Sequence, residues 1–243
     1  WNEISLAQLT SQTVTETTEL DNPQQIDDTL FSITPTVVGI ETLITDRVAA
    51  RISKNVYAKT GSLAQNAIQR KKDQDGLTVL DGATTSLCGA GSTLTSGHVS
   101  AAVYRISSNT TEPGNPPYRV VLHGYQLKDI FDELVAGVGT YSVGEGLTAR
   151  VFTEGFKGMI AGAQVYEDGL ITIDSRADAK GGVFAQEGIV LVQGFSPRVE
   201  TKRRPEIGGG ATSLYHYDEY AYGERSSGSW VYELYSDATA PTS

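Results

Sequence analysis

The stretch Gly89-Ala90-Gly91-Ser92-Thr93 has the glycines and hydroxyls of a loop that could wrap a phosphate. No lysine stands before the hydroxyl residues to meet the phosphate charge, so a nucleotide-cradling loop is absent. Gly137 to Gly146, GVGTYSVGEG, is glycine-rich, but its spacing is not that of a dinucleotide fingerprint and it does not open a helix after a strand; it reads as a mobile loop. No G-x-S-x-G elbow occurs to present a nucleophilic serine, and Ser226 and Ser227 fall in a turn. The three histidines, His98, His123 and His216, lack the i, i+4 spacing with a glutamate that a zinc-binding helix needs, so each reads as structural. Asp73 to Gly76, DQDG, opens like a calcium loop, but Leu77 stands where an oxygen ligand is required and no glutamate closes the loop. It reads as the polar end of a helix. Asn109-Thr110-Thr111 fits a glycosylation acceptor, a common chance match, and paired carboxylates for sugar chemistry are spaced in three dimensions rather than along the chain. The single cysteine, Cys88, rules out a disulfide framework and reads as an inert thiol. Neither a metal nor a cofactor is expected.

With no reactive centre in view, charge is the next guide. The net charge of −10 argues against a chain whose main business is gripping nucleic acid phosphates. Its distribution is more informative. Glu3, Glu16, Glu19, Asp21, Asp27, Asp28, Glu41 and Asp46 occur before the first lysine or arginine; Arg47, Arg51, Lys54, Lys59, Arg70, Lys71 and Lys72 then follow with no acid among them. No apolar run approaches the roughly 18 residues of a membrane span, and a soluble protein is expected.

The elements that carry these charges are legible in outline. Residues 10–20 are threonine-rich and favour an extended strand with no apolar face. Leu30 to Ile44 is a second extended segment with Val38, Ile40, Thr42 and Ile44 on one face, and the polar turn between the two predicts a hairpin. So little apolar surface cannot stabilise an isolated hairpin in water, so this one must lean on a neighbour. From Thr45, a good N-cap, to Gly76 the spacing predicts one long helix with Val48, Ile52, Val56, Leu63 and Ala67 along its apolar stripe. Such a rod is about 45 Å long at 1.5 Å per residue, longer than a small domain is wide. A coiled coil would also use a long helix, but the stripe is narrow, broken by Lys59 and Gly61, and has no second heptad segment to meet. Downstream, a short helix is predicted at Ser96–Ile106, a strand at Arg119–Leu122, and an amphipathic helix with Leu127, Ile130, Phe131 and Leu134 inward. Strands follow near 158–166, 169–173 and 183–193, then a strand with Leu214, His216, Asp218, Tyr220 and Tyr222 on one face, and a last one at SWVYELY.

Taken together, SITPTVVGIETLITDR, GSLAQNAIQRKKDQDG, RVVLHGYQLKDIFDEL, GFKGMIAGAQVYED, GGVFAQEGIVLVQGF and GATSLYHYDEYAYGERSSGSWVYELY resemble, in order and over nearly the whole chain, the major capsid protein of tailed bacteriophages. The resemblance implies an α+β chain with the Hong Kong 97-type capsid fold. Residues 1–44 would be the N-terminal arm and extended β-hairpin loop, 45–118 and 197–243 the peripheral domain with its spine helix at 45–76, and 119–196 the axial domain. It further implies a non-enzymatic protein that assembles with itself into pentamers and hexamers of an icosahedral shell. That shell would enclose double-stranded DNA without reading its sequence, in a virion built in the host cytoplasm, with portal, scaffolding and decoration proteins as further candidate partners and no membrane. A start at Trp1 is compatible with removal of a leading segment, as in some relatives. The acidic Glu16, Glu19, Asp21, Asp27 and Asp28 of the hairpin loop would then dock on Arg47, Arg51, Lys54, Lys59, Arg70, Lys71 and Lys72 of a neighbour's spine helix. The same charges would also suit an exposed, solvated loop. Other readings of the residues are a cellular nanocompartment shell of the same fold, a β-rich surface binding module, and an enzyme.

Overall fold

The computed structural model describes residues 2–6, 13–16, 28–52, 55–110, 112–140, 158–225 and 228–242. Near its start, β1 (Asn2–Leu6) pairs antiparallel with β2 (Asp28–Ser32) in a two-stranded sheet. Pro35, which has no N–H to give a ladder, then separates β2 from β3 (Thr36–Thr45). The expected hairpin between residues 10–20 and 30–44 is therefore not what forms: β3 pairs with a strand far along the chain, and residues 13–16 lie in no strand. The remainder of 10–20 lies outside the described residues.

The described chain divides into two compact units. The first comprises Ile33–Thr78 and Leu191–Gly223. Its three-stranded sheet has the order β3, β10 (Ala211–Glu224), β9 (Ile189–Arg204). The alternation read from sequence holds in both paired strands. Ile44 is buried on β3, and Leu214, His216, Asp218 and Tyr220 are buried on β10. The β9–β10 connection ends in Gly208, Gly209 and Gly210, all at positive φ, where a side chain would be strained. A Cβ on Gly210 would also strike the Asp46 carboxylate.

The predicted single helix is two. Thr45 caps α1 (Asp46–Arg51) as expected, its Oγ1 accepting from the Val48 N–H at 3.4 Å. Ile52 turns extended, and α2 then runs from Val56 to Asp81. The sequence treats Asn55 as helix interior, yet asparagine directly before a helix is a favoured N-cap and a poor interior residue. At the other end α2 runs through Gly76 rather than stopping there, because Leu80 is 2% exposed and Tyr222 packs beside Gly76. The apolar stripe also differs from the expected one: Ala64 and Ile68 are buried, whereas Val48, Ile52 and Leu63 are 42%, 57% and 69% exposed. A stripe interrupted by Lys59 and Gly61 leaves tertiary packing free to choose the face.

The second unit comprises Val79–Val190 and Glu224–Ser243 with Asn2–Ser32. Its six-stranded mixed sheet has the order β4 (Ser86–Cys88), β11 (Val231–Asp237), β8 (Asp178–Phe184), β5 (Arg119–Leu122), β7 (Ala163–Glu167), β6 (Met159–Ile160). Residues 169–173 form no strand, contributing only a bridge from Ile173 to Ala179. Helix α3 (Ser96–Ser107) contributes Val99, Ala102, Val103 and Ile106 to a core shared with Val120, Leu122, Val183 and Leu234, and α4 (Gly124–Thr140) contributes Leu127 and Ile130. The wholly buried Gln126 ties this core together. Its Oε1 accepts from the His123 N–H, and its Nε2 donates to Ala179 O at 3.0 Å and Ser236 Oγ at 2.7 Å. The units part at 32/33, 78/79, 190/191 and 223/224, and α3 and β11 lie in one unit with β5 and β8, with which they share a core.

Gly181 on β8 has no room for a side chain, since a Cβ there would lie 2.6 Å from Val121 O and 2.7 Å from Leu122 Cδ2. Gly181→Ala is expected to destabilise the protein by about 2 kcal/mol or more, the cost of overpacking against backbone, read as a lower urea midpoint.

Candidate functional site

The charged residues singled out by sequence converge on the first unit, where the structure sorts them into two groups. Arg47 and Arg51 on α1 and Lys59 and Arg70 on α2 are exposed, and among the described residues none pairs with a carboxylate. Lys71 and Lys72, expected in the same receptor set, are instead committed within the chain. Lys71 is bonded to Asp75 one turn away. Lys72 Nζ donates to Asp218 Oδ2 at 3.1 Å, with side-chain exposures of 12% and 0%, and lies 4.8 Å from the centre of the Tyr220 ring. Lys54 lies outside the described residues.

Asp218 is the centre of a small polar core under α2. Its other oxygen accepts from Gln193 Nε2 at 3.2 Å and from the Glu219 N–H at 2.9 Å. Beside it, the Tyr220 hydroxyl donates to Asp75 Oδ2 at 2.8 Å. Burial, reinforced by that bond to Asp75, raises the Tyr220 pKa, which keeps the phenol a donor. Lys72, Asp75, Asp218 and Tyr220 thus fasten the helix to the sheet. The sequence placed Asp218 and Tyr220 on one face of their strand with Leu214, and the structure buries that face; a buried acid needs a cation, and the apolar neighbours of Asp218 on that face were the available signal for Lys72.

The acids fare similarly. Glu41 and Asp46 belong to the run of eight carboxylates, yet both are satisfied by β9. Arg204 reaches Glu41 at 3.0 Å, and Arg203 clasps Asp46, with Nη1 donating to Oδ1 at 2.6 Å. Of the proposed docking acids, Glu16 is exposed and Asp28 begins β2, while Glu19, Asp21 and Asp27 lie outside the described residues. Hydrogen bonds from Arg203 hold the Asp46 carboxyl below its ordinary value of 3.8. A depressed folded-state pKa contributes stability that is present above the unfolded value and lost as pH falls through the folded one. Asp46→Asn is therefore expected to lower stability at neutral pH, where the wild-type contribution is fully present, and to converge with the wild type as pH falls below about 4, as followed by urea midpoints measured at a series of pH values.

Among the described residues no group of three His, Cys, Asp or Glu converges as a metal site, and no helix is long and apolar enough to cross a membrane. What the first unit offers among the described residues includes four exposed cations on α1 and α2 without a carboxylate partner, on helices beside its three-stranded sheet.

No protein-family model matches the chain, and no curated protein matches it in sequence. Solved structures do. The head structure of Helicobacter pylori bacteriophage KHP40 superposes with a TM-score of 0.76 at 12% identity, over 98% of this chain and 85% of that one. The mature capsid of bacteriophage PhiM1 matches at 0.65 and 16% identity, covering 99% and 82%. The capsid of Ralstonia phage GP4 matches at 0.68 and 11% identity, covering 100% and 84%.

Proposed function

We propose that this chain, whose fold is that of bacteriophage capsid proteins, is the major capsid protein of a tailed double-stranded DNA phage. The observation that carries the reading is the extent of the likeness: capsid structures cover 96–100% of the chain, so the whole chain rather than a shared module has their fold. The role is mechanical rather than catalytic. Copies associate as pentamers and hexamers into an icosahedral shell in the virion, assembled in the host cytoplasm, and portal, scaffolding and decoration proteins are the further partners such a shell would take. On this reading the first unit serves the peripheral role and much of the second the axial role. The acidic Glu16, Glu19, Asp21, Asp27 and Asp28 of one copy meet the cationic face of another. Support for that pairing comes from Arg47, Arg51, Lys59 and Arg70, which stand exposed and uncommitted on α1 and α2. An acidic chain also suits a container, because walls of net −10 charge hold a packaged polyanion without adhering to it.

Size-exclusion chromatography and electron microscopy of the purified chain test the proposal. Closed particles tens of nanometres across are expected, with nuclease-protected DNA when they are recovered from infected cells. A chain that stays monomeric under all assembly conditions would overturn it.

A further inference from the structure

The end of a sheet is a row of unpaired backbone N–H and C=O groups, and proteins blunt such ends with short strands, proline or charge. Among the described residues the two larger sheets have four ends, and three of them are blunted. In the six-stranded sheet the end strands β4 and β6 are only three and two residues long. In the first unit's sheet, β9 closes one end and carries Pro197, Arg198, Lys202, Arg203 and Arg204. The fourth end is β3, ten residues long, reading TVVGIETLIT. It has no lysine, arginine or proline, and it is rich in the β-branched residues that favour strands. Its one charge, Glu41, is met within the chain by Arg204 at 3.0 Å and accepts from the Tyr215 hydroxyl at 3.0 Å. On the same side of the strand, Val37 and Leu43 are 60% and 46% exposed.

A long, unblunted strand of this composition is suited to pairing, and the placement of its exposed apolar residues identifies the partner. Val37 and Leu43 stand three residues before and three after Ile40, on one face of the strand. An antiparallel copy related by a two-fold axis through Ile40 therefore sets Val37 of each chain opposite Leu43 of the other. The same register sets Glu41 opposite Gly39, which has no side chain to crowd the carboxylate. Self-complementarity of this kind is what a two-fold contact requires, since one patch must meet its own duplicate. We propose that β3 pairs with β3 of a second copy in this register, joining two three-stranded sheets into one of six strands. This rests on the shell reading above and assigns a two-fold contact between neighbouring copies to a sheet edge rather than to the cationic helix face.

Cysteine pairs read the register directly. In a Cys88→Ser background, chains carrying Val37→Cys and chains carrying Leu43→Cys are expected to form a disulfide-linked dimer under oxidation only when the two are mixed. In either chain alone the two cysteines would lie about 20 Å apart, six residues at 3.4 Å each, too far for a disulfide. Peptide mass mapping should place the bond between positions 37 and 43. Val37→Lys combined with Leu43→Lys supplies the edge protection that β3 lacks. Because both side chains are exposed, that variant should keep the circular dichroism and urea midpoint of the isolated subunit while particle yield falls at least tenfold. No dimer from the mixture, a dimer from either single-cysteine chain alone, or wild-type yields from the lysine variant would overturn the β3 pairing while the capsid reading stands. Failure of the wild-type chain to form particles would overturn the capsid reading, whereas the mixed cross-link in whatever oligomer forms still decides the pairing.

Discussion

Reversing Arg47, Arg51, Lys59 and Arg70 to glutamate together is expected to abolish particle formation while leaving a folded subunit. Among the described residues these four exposed cations pair with no carboxylate, so reversing them breaks no described ion pair. Each exposed ion pair contributes only about 0 to 1 kcal/mol, so single reversals should leave assembly close to normal. The effect is collective, multiplied over four positions and over every copy in a shell. Reversing Glu16, Glu19, Asp21, Asp27 and Asp28 to lysine should block assembly equally, and mixing the two reversed chains should restore part of the yield. Raising salt to 1 M, where screening acts within about 3 Å, should slow wild-type assembly in the same direction. Sedimentation of assembly mixtures, with circular dichroism of the unassembled fraction, measures both halves of the expectation. Normal particles from the fourfold variant would remove the docking proposal.

Lys72→Met is expected to cost about 3–5 kcal/mol of subunit stability, because it leaves Asp218, which is wholly buried, without its cation. Gln193 and the Glu219 N–H still hydrogen-bond the carboxyl group but supply no compensating charge. Removing both charges, with Lys72→Met and Asp218→Leu, should recover most of the loss, since a packed apolar pair replaces a buried ionic one at little net cost. Lys71→Met is the matched control on the same helix. Its i, i+4 pair with Asp75 is solvent-accessible, and the change should cost no more than about 0.5 kcal/mol. Urea unfolding midpoints of the three variants check the ordering, and a Lys72 variant no less stable than the Lys71 variant would show that the buried pair does not fasten α2 to β10.

Local elements were readable wherever one residue pattern admitted one partner. The strand Arg119–Leu122, the helix near 96–106 and the helix carrying Leu127, Ile130 and Leu134 stand where their periodicity puts them, because each has a single apolar face and a single core to face, although α4 continues to Thr140, into the glycine-rich stretch read as a loop. The N-cap at Thr45 and the alternation of β10 were equally plain, since hydroxyl capping and strand alternation are local properties. The partner of β3 was not readable. Strand pairing joins residues such as Ile40 and His216 across most of the chain, and the nearer threonine-rich segment matched the pattern as well as β10 did. Register is chosen by total burial, which no short window contains.

The charges divide along the same line. By itself the sequence determined that a block of acids precedes a block of bases, that no reactive cluster lies within one stretch, and that the chain is a mixed helix-and-strand protein. Only the tertiary structure decided which charges are already satisfied: Asp46 by Arg203, Glu41 by Arg204 and Lys72 by Asp218 are pairs separated by more than a hundred residues. The physical reason is that a charge carries the same sign wherever it lies, but whether it is available to another molecule depends on what the fold sets within a few ångströms of it.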